Sequence, residues 1–103
     1  MADKYTIIIN SKALSDLSEC ISFVLRVSKE AAIKLKDDVF SSIESLSIFP
    51  EKNPIFEMPK SFPFVMRKQI INDRYIVLYS IEEDKVIVYR ILDSRRKFNH
   101  LLH

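Results

Sequence analysis

The sequence predicts an α+β fold in which one β-strand, an α-helical hairpin and a three-stranded antiparallel meander form one sheet, with both helices on one face. Three observations predict it. A short β-branched segment opens the chain, two stretches with apolar residues at helical spacing follow, and three apolar segments separated by polar turns close it. The length of 103 residues indicates a single domain over 1–103, because a second core would leave neither half enough apolar surface to bury.

The first strand is predicted over residues 5–10, which are rich in β-branched residues and end at Asn10. Ser11 is then expected to cap the first helix. The apolar face of this helix consists of residues spaced three and four apart, namely Leu14, Leu17, Ile21, Val24 and Leu25. We expect this face to pack against the sheet.

The second helix is expected to begin near Ser28, with Glu30 in its first turn, where a negative charge favours the helix dipole. Its apolar stripe contains Ala32, Leu35, Val39, Ile43 and Leu46. Proline cannot continue a helix, so Phe49-Pro50 is expected to end this run. Residues 50–64 contain all 4 prolines of the chain and predict an ordered, irregular connector. Its three phenylalanines, Phe56, Phe62 and Phe64, are expected to fill the core rather than to stack on nucleic-acid bases.

Three further strands are predicted over residues 65–71, 74–81 and 86–92. If Asn72-Asp73 is a two-residue turn, Gln69 lies opposite Ile76 and Arg67 lies opposite Leu78 on one face of the sheet. The other face is predicted to receive the helices and carries Met66, Ile70, Tyr75, Val77 and Tyr79. The face opposite the helices is then left open for function.

Composition excludes several classes of protein. The chain has no glycine, so it lacks Walker A loops, dinucleotide-binding fingerprints and nucleophile elbows, which all require glycine. Cys20 is the single cysteine, which excludes a disulfide framework, and we expect a packed, inert thiol. No cofactor and no metal site is expected. No signal-peptide pattern opens the chain and no apolar run approaches the ~20 residues of a membrane span, so we expect a cytoplasmic protein that does not associate with membranes.

Positive charge is concentrated in the C-terminal part of the chain. Residues 1–59 contain 7 Lys and Arg against 9 Asp and Glu, whereas residues 60–103 contain 9 against 5. An excess of cations on one surface favours phosphate or an acidic partner. The run Arg95-Arg96-Lys97 is either a phosphate-binding cluster or a solvated group of charges at the end of the last strand.

Two segments near the end of the chain carry a combined pattern. The first, Arg74-Tyr75-Ile76-Val77-Leu78-Tyr79-Ser80-Ile81-Glu82-Glu83-Asp84, is a tyrosine-ended strand with an acidic turn, and the second, Val88-Tyr89-Arg90-Ile91-Leu92-Asp93-Ser94-Arg95-Arg96, is an apolar strand followed by two arginines. Together with the order of elements, Tyr5 in the first strand and the Ile48-Phe49-Pro50 stop, this pattern resembles the RelE/ParE superfamily of toxins over nearly the whole chain.

The resemblance implies one of two activities. RelE-like members cut mRNA in the ribosome without a metal, whereas ParE-like members poison DNA gyrase, and the fold does not choose between them. A metal-free ribonuclease needs a base, an acid and fixed cations on one surface. By the resemblance, Arg67 and Arg96 match basic positions of the nucleases. His100 is the candidate proton donor, since the other histidine, His103, lies in the terminal tail.

Three positions depart from the nuclease pattern. Gln69 stands at a further lysine position, Ile76 at the third-strand arginine and Leu102 near the C-terminal tyrosine. The ParE-like branch more often has an aliphatic residue on the third strand and a His-x-Arg-Arg motif after the fourth, where this chain has Asp93 in place of the histidine. The resemblance therefore favours gyrase as the target.

The expected function is that of a toxin in a type II toxin–antitoxin system, which arrests growth and is neutralised by a cognate antitoxin. A ribosome-dependent mRNA endoribonuclease and a non-toxic module that only binds the antitoxin are the alternatives, so the sequence does not decide whether the protein is an enzyme. The residues expected to contact the target or the antitoxin are the basic side chains Arg67, Lys68, Arg74, Arg95, Arg96 and Lys97.

Overall fold

The computed structural model describes residues 4–95 and has the predicted α+β architecture. In chain order its elements are β1 (Thr6–Ile9), α1 (Ser11–Leu25), α2 (Lys29–Ser45), a 3₁₀ turn (Pro50–Lys52), β2 (Ile55–Phe56), β3 (Met66–Ile71), β4 (Tyr75–Glu82) and β5 (Lys85–Asp93). The strand order in the sheet is β1-β5-β4-β3-β2. β1 runs parallel to β5, and the other neighbouring pairs are antiparallel. The sheet has five strands because two residues of the connector, residues 50–64, pair with β3.

Both helices begin at side-chain caps. The side chain of Asn10 accepts a hydrogen bond from the backbone N–H of Ala13 at 3.1 Å, so the prediction that Ser11 caps α1 is wrong by one residue. Ser28 caps α2 as predicted, because its hydroxyl accepts from the N–H of Ala31 at 3.1 Å.

The main core lies between the two helices and one face of the sheet. The predicted stripe of α2 is confirmed, since all five of its residues are buried. The predicted stripe of α1 is wrong at two positions, because Leu14 and Leu25 are 47% and 53% exposed. The buried residues of α1 are instead Ala13, Asp16, Leu17 and Cys20. Cys20 is a core residue, as expected.

Asp16 fixes the orientation of α1 on the sheet. Its carboxylate accepts from Nε and Nη2 of Arg90 at 2.6 and 3.0 Å, and from the backbone N–H of Ile91 at 3.0 Å. The pairing of β5 with β1 ends at Val88, so this N–H lies beyond the last residue that β1 covers. Asp16 thus accepts the hydrogen bond of an edge N–H that β1 is too short to reach, and for this reason Asp16 lies on the buried face of α1.

The predicted register of β3 and β4 is wrong by one residue. Asn72 and Asp73 form the turn, both with φ of 54°, and the N–H of Arg74 donates to the carbonyl of Ile71 at 3.1 Å. Arg74 is then left outside the ladder, because Ile71 pairs with Tyr75. A shift of one residue moves every side chain of β3 to the opposite face, so Met66 lies on the outer face, the face of the sheet opposite the helices.

The connector is fixed to the sheet at both of its ends. The hydroxyl of Tyr79 donates to the carbonyl of Pro50 at 2.5 Å, and the side chain of Asn53 donates to that hydroxyl at 3.1 Å. Farther along, Phe56 and Phe62 pack on a second core on the outer face, with Met58 beside them. The buried members of this second core are Met66, Leu78 and Leu92. The connector is ordered as predicted, but the outer face is partly covered rather than open.

Candidate functional site

The centre of the outer face is apolar. Because direct cross-strand partners share a face, the register assigns seven central positions to it. Five of them are apolar and two are cations, namely Met66, Lys68, Ile70, Ile76, Leu78, Arg90 and Leu92, and the Arg90 guanidinium is paired with Asp16. Ile70 is 54% exposed, so part of this apolar surface meets solvent.

Lys68 and Arg67 lie on opposite faces of β3. Lys68 pairs with Leu78 on the outer face, and its Nζ lies 5.9 Å from the ring centroid of Phe56. Arg67 pairs with Tyr79 on the helix side. The predicted Asn72-Asp73 hairpin placed Arg67 and Ile76 on one face, and the observed register separates them.

Arg67 is engaged with the backbone of the connector. Its Nη1 donates to the carbonyl of Asn53 at 2.6 Å and to the carbonyl of Glu51 at 3.3 Å. The guanidinium therefore closes the turn that brings the chain from α2 to β2. Gln69 supports the same segment from the next position on that face, because its side-chain carbonyl accepts from the amide of Asn53.

Arg74 and Arg95 meet at Asp93, at the opposite end of β3 from Arg67. Nε and Nη2 of Arg74 donate to the two carboxylate oxygens of Asp93 at 3.0 and 2.8 Å. The hydrogen bonds from Asp93 raise the pKa of Arg74 above its ordinary value, so this guanidinium is permanently charged. The backbone N–H of Arg95 donates to Asp93 at 3.0 Å, and its side chain is exposed.

The Arg74 guanidinium also lies 5.1 Å from the ring centroid of Tyr75. The N–H of Ser94 donates to the carbonyl of Arg74 at 2.8 Å, which ties the β3–β4 turn to the end of β5. Ile71 follows Arg67 by four positions along β3, a span of roughly 13 Å at about 3.3 Å per residue. The structure therefore brings Arg74 and Arg95 together at one corner of the sheet and does not bring Arg67 to it. Arg96, Lys97 and His100 lie outside the described residues.

A polar cluster on the outer face was not predicted. One oxygen of Glu82 accepts hydrogen bonds from the hydroxyls of Ser80 and Tyr89, each at 3.0 Å. Burial raises the pKa of Tyr89 above its ordinary value of 10.0, so its hydroxyl stays protonated at neutral pH. Phe64 is stacked on the Tyr89 ring with centroids 6.1 Å apart, and Phe62 meets Phe64 edge to face. The signal available in the sequence was the spacing of Ser80 and Glu82, which alternation puts on one face of a strand.

Tyr89 lies on this face because β5 contains a bulge. Leu78 pairs with Arg90 and Tyr79 pairs with Val88, so Tyr89 is the extra residue. The cluster can donate a proton from Tyr89 or Ser80 or accept one at Glu82, and it lies near the acidic β4–β5 turn rather than beside the Arg74 corner. In the part of the chain that the structure describes, no group of three or more His, Cys, Asp or Glu side chains could hold a metal ion. Neither helix of residues 4–95 is long and apolar enough to span a bilayer.

Comparison with known proteins gives one family and several structures with the same fold. The family model described as "ParE toxin of type II toxin-antitoxin system, parDE" matches residues 7–98. The chromosomal ParDE toxin–antitoxin system of P. aeruginosa contains a chain with a TM-score of 0.69 and 16% identity, over 87% of this chain and 96% of that one. The RelBE2 toxin–antitoxin complex of Mycobacterium tuberculosis gives 0.58 and 17%, over 90% and 94%. No curated protein matches the sequence.

Proposed function

Because the chain belongs to the family of ParE toxins of type II toxin–antitoxin systems, we propose that it arrests bacterial growth in the cytoplasm by acting on DNA gyrase. A cognate antitoxin protein neutralises it. Solved structures of the same fold come from a ParDE toxin–antitoxin system and from a RelBE2 toxin–antitoxin complex. This supports an antitoxin as the partner of the present chain.

The apolar centre of the outer face is the observation that carries the choice of gyrase. A ribonuclease of this superfamily stabilises a phosphorane, and one preorganised charge-stabilising donor contributes roughly 10²-fold or more to the rate. Here Ile76 and Leu78 occupy the middle of β4, and of the two cations among the seven central positions, Arg90 is already paired with Asp16. Arg67, which the resemblance offered as a second cation, donates to the connector from the other face. The arrangement suits a protein contact better than a dianionic transition state.

The basic side chains at the C-terminal end of the sheet are the proposed contacts to the target or to the antitoxin. Arg74 and Arg95 share a corner at Asp93, and Lys68 lies on the outer face. Arg96 and Lys97, which follow Arg95 in the sequence, are proposed contacts as well. Association with an acidic partner surface should slow as ionic strength rises, because exposed charges are screened beyond about 10 Å at 0.1 M salt.

A ribosome-dependent mRNA endoribonuclease is the second candidate, and the Glu82–Tyr89 hydrogen bond of 3.0 Å favours it. A half-buried carboxylate beside a hydroxyl is the kind of pair that general acid and base catalysis uses. In that alternative Arg96 and Arg67 stabilise the phosphate and His100 donates a proton. Tyr89→Phe and Glu82→Gln then reduce mRNA cleavage, whereas the gyrase proposal expects both variants to keep full toxicity.

Controlled expression tests the proposed function. Induction of the chain should stop bacterial growth, and co-expression of the protein encoded by the adjacent open reading frame should restore it. Purified protein should inhibit supercoiling by gyrase and leave mRNA on translating ribosomes intact. Normal growth at a verified high level of folded protein would contradict the proposal and favour a non-toxic antitoxin-binding module. Growth arrest with mRNA cut in the ribosomal A site would show that the target is mRNA on the ribosome and not gyrase.

A further inference from the structure

A cleft of about 270 Å³ opens between α2 and the β3–β4 turn, next to the corner formed by Arg74 and Asp93. Its apolar lining comes from both helices and the sheet, and its polar lining is at the rim. The lining residues are Val24, Ala31, Lys34, Leu35, Asp38, Asn72, Arg74 and Tyr75. Such a site can take one apolar side chain in its floor together with a charged group at its edge.

Arg74 is fixed at this rim before any partner arrives. Two of its N–H groups donate to Asp93, whose side chain is 3% exposed, and its guanidinium lies over Tyr75. The Arg74 side chain remains 21% exposed and lines the cleft, so further N–H groups of the guanidinium can face a ligand. A side chain that is already held in one conformation loses little entropy on binding an anion.

The charges around the cleft favour a carboxylate on a protein over a nucleic-acid backbone. Asp38 is on the rim, where it accepts from Lys34 at 2.7 Å and from Asn72 at 3.0 Å, and exposed Asp73 follows in the turn. These carboxylates repel a chain of phosphates, and Lys34 is already paired. A segment with one carboxylate and an apolar side chain meets Arg74 and the apolar floor with less repulsion than a run of phosphates.

We propose that this cleft binds an acidic, amphipathic segment of the antitoxin, and that Asp93 acts as a positioning residue which holds Arg74 ready for a carboxylate of that segment. The inference rests on the proposed function, because it takes the antitoxin as the partner. It adds a specific role for Asp93, the position at which the sequence departs from the His-x-Arg-Arg pattern of the ParE-like branch.

The test measures the affinity of the protein encoded by the adjacent open reading frame for purified variants. Arg74→Gln removes the charge and should weaken binding by about 10- to 100-fold, the range for one charge-assisted hydrogen bond. Asp93→Asn should weaken it by several fold, because Arg74 stays but is no longer fixed. The double variant should bind no more weakly than Arg74→Gln alone, since Asp93 acts through Arg74. A merely structural role for Asp93 would make the two losses add.

Two further variants keep the test independent of folding. Lys85→Gln removes an exposed cation at the opposite end of β4 and should change the affinity by less than twofold. Ala31→Trp fills the cleft from an exposed helical position, leaves Arg74 and Asp93 intact, and should weaken binding at least tenfold. Thermal melts show which variants are folded, and if Arg74→Gln is not, the Ala31→Trp result decides.

Unchanged affinity in folded Arg74→Gln or in Ala31→Trp overturns the inference while leaving the toxin assignment intact. If wild-type protein does not bind the adjacent gene product at all, the proposed antitoxin pairing fails instead. A short DNA duplex provides the other comparison. If Arg74→Gln loses binding to this duplex and keeps its affinity for the adjacent gene product, the corner recognises phosphate and the proposal is wrong.

Discussion

Removal of the Asp16 carboxylate should destabilise the fold more than any surface change. The side chains of Asp16 and Arg90 are 9% and 15% exposed, and the same carboxylate accepts the backbone N–H of Ile91. Asp16→Ala removes the carboxylate that pairs with Arg90, and breaking a buried ion pair from one side typically costs about 3–5 kcal/mol. The unsatisfied N–H of Ile91 adds about 1–3 kcal/mol. Domains of this size are stable by only about 5–15 kcal/mol, so the loss is a large fraction of the total stability.

Urea unfolding followed by circular dichroism measures this effect. With a slope of about 1.5 kcal/mol per M, a loss of 3 kcal/mol lowers the midpoint by about 2 M. Asp16→Asn keeps one acceptor oxygen and should lose about half as much free energy of unfolding. The control is Asp37→Ala, an exposed acidic position on α2, which should stay within about 0.5 kcal/mol of wild type.

The double variant Asp16→Leu with Arg90→Met separates the ion pair from the packing. It removes both charges and should be more stable than Asp16→Ala, because no buried charge is left without a partner. If Asp16→Ala unfolds within 1 kcal/mol of wild type, the carboxylate does not fix α1 to the edge of β5 and the reasoning fails.

Three other outcomes are expected. Glu83 has φ of 56°, so Glu83→Asn should raise Tm by a few degrees in calorimetry, and an unchanged or lower Tm would show that this turn is not strained. Burial raises the pKa of Tyr75, Tyr79 and Tyr89 above 10.0. The protonated forms therefore stabilise the fold below pH 10, and this contribution is lost as the pH rises through the folded pKa values. Absorbance at 295 nm should show that these tyrosines ionise at a higher pH than free tyrosine. Tyr79→Phe removes the hydrogen bond to the carbonyl of Pro50 and should cost about 1–3 kcal/mol, with faster limited proteolysis of the connector; equal digestion rates would argue that the connector is fixed by other contacts.

The sequence pattern was sufficient for the order of elements and for the buried stripe of α2, because that helix has one continuous apolar face. It was insufficient for β3. Met66, Ile70 and Ile71 put apolar residues at both even and odd positions, and β3 has a core on each of its faces. Alternation therefore fitted two registers, and the position of Arg74 outside the ladder decided between them. An arginine in the sequence gives no signal that it will be an extra turn residue outside the ladder.

The unpredicted register also explains why the candidate site was only partly predicted. Basic residues were predicted as contacts to a partner, and Arg74 and Arg95 lie together at the end of the sheet. Their partner Asp93 was noted only as a departure from a motif, because a contact between residues 19 apart depends on the register. On α1, the buried face was predicted from apolar residues alone, which favoured Leu14 and Leu25. Asp16 was missed because its burial depends on an ion pair with Arg90, 74 residues away in the sequence.

The parallel pairing of β1 with β5 has a consequence for how the chain is made. Within residues 4–95, β5 is the strand that pairs with β1, and the two are separated by both helices, the connector and the β3–β4 hairpin. Contacts between such distant segments form late, because they require closure of a long loop. During translation the α1–α2 hairpin can form early, but the sheet is incomplete until its last strand has left the ribosome. Closure of the sheet by β5 is therefore expected to be a late step in folding.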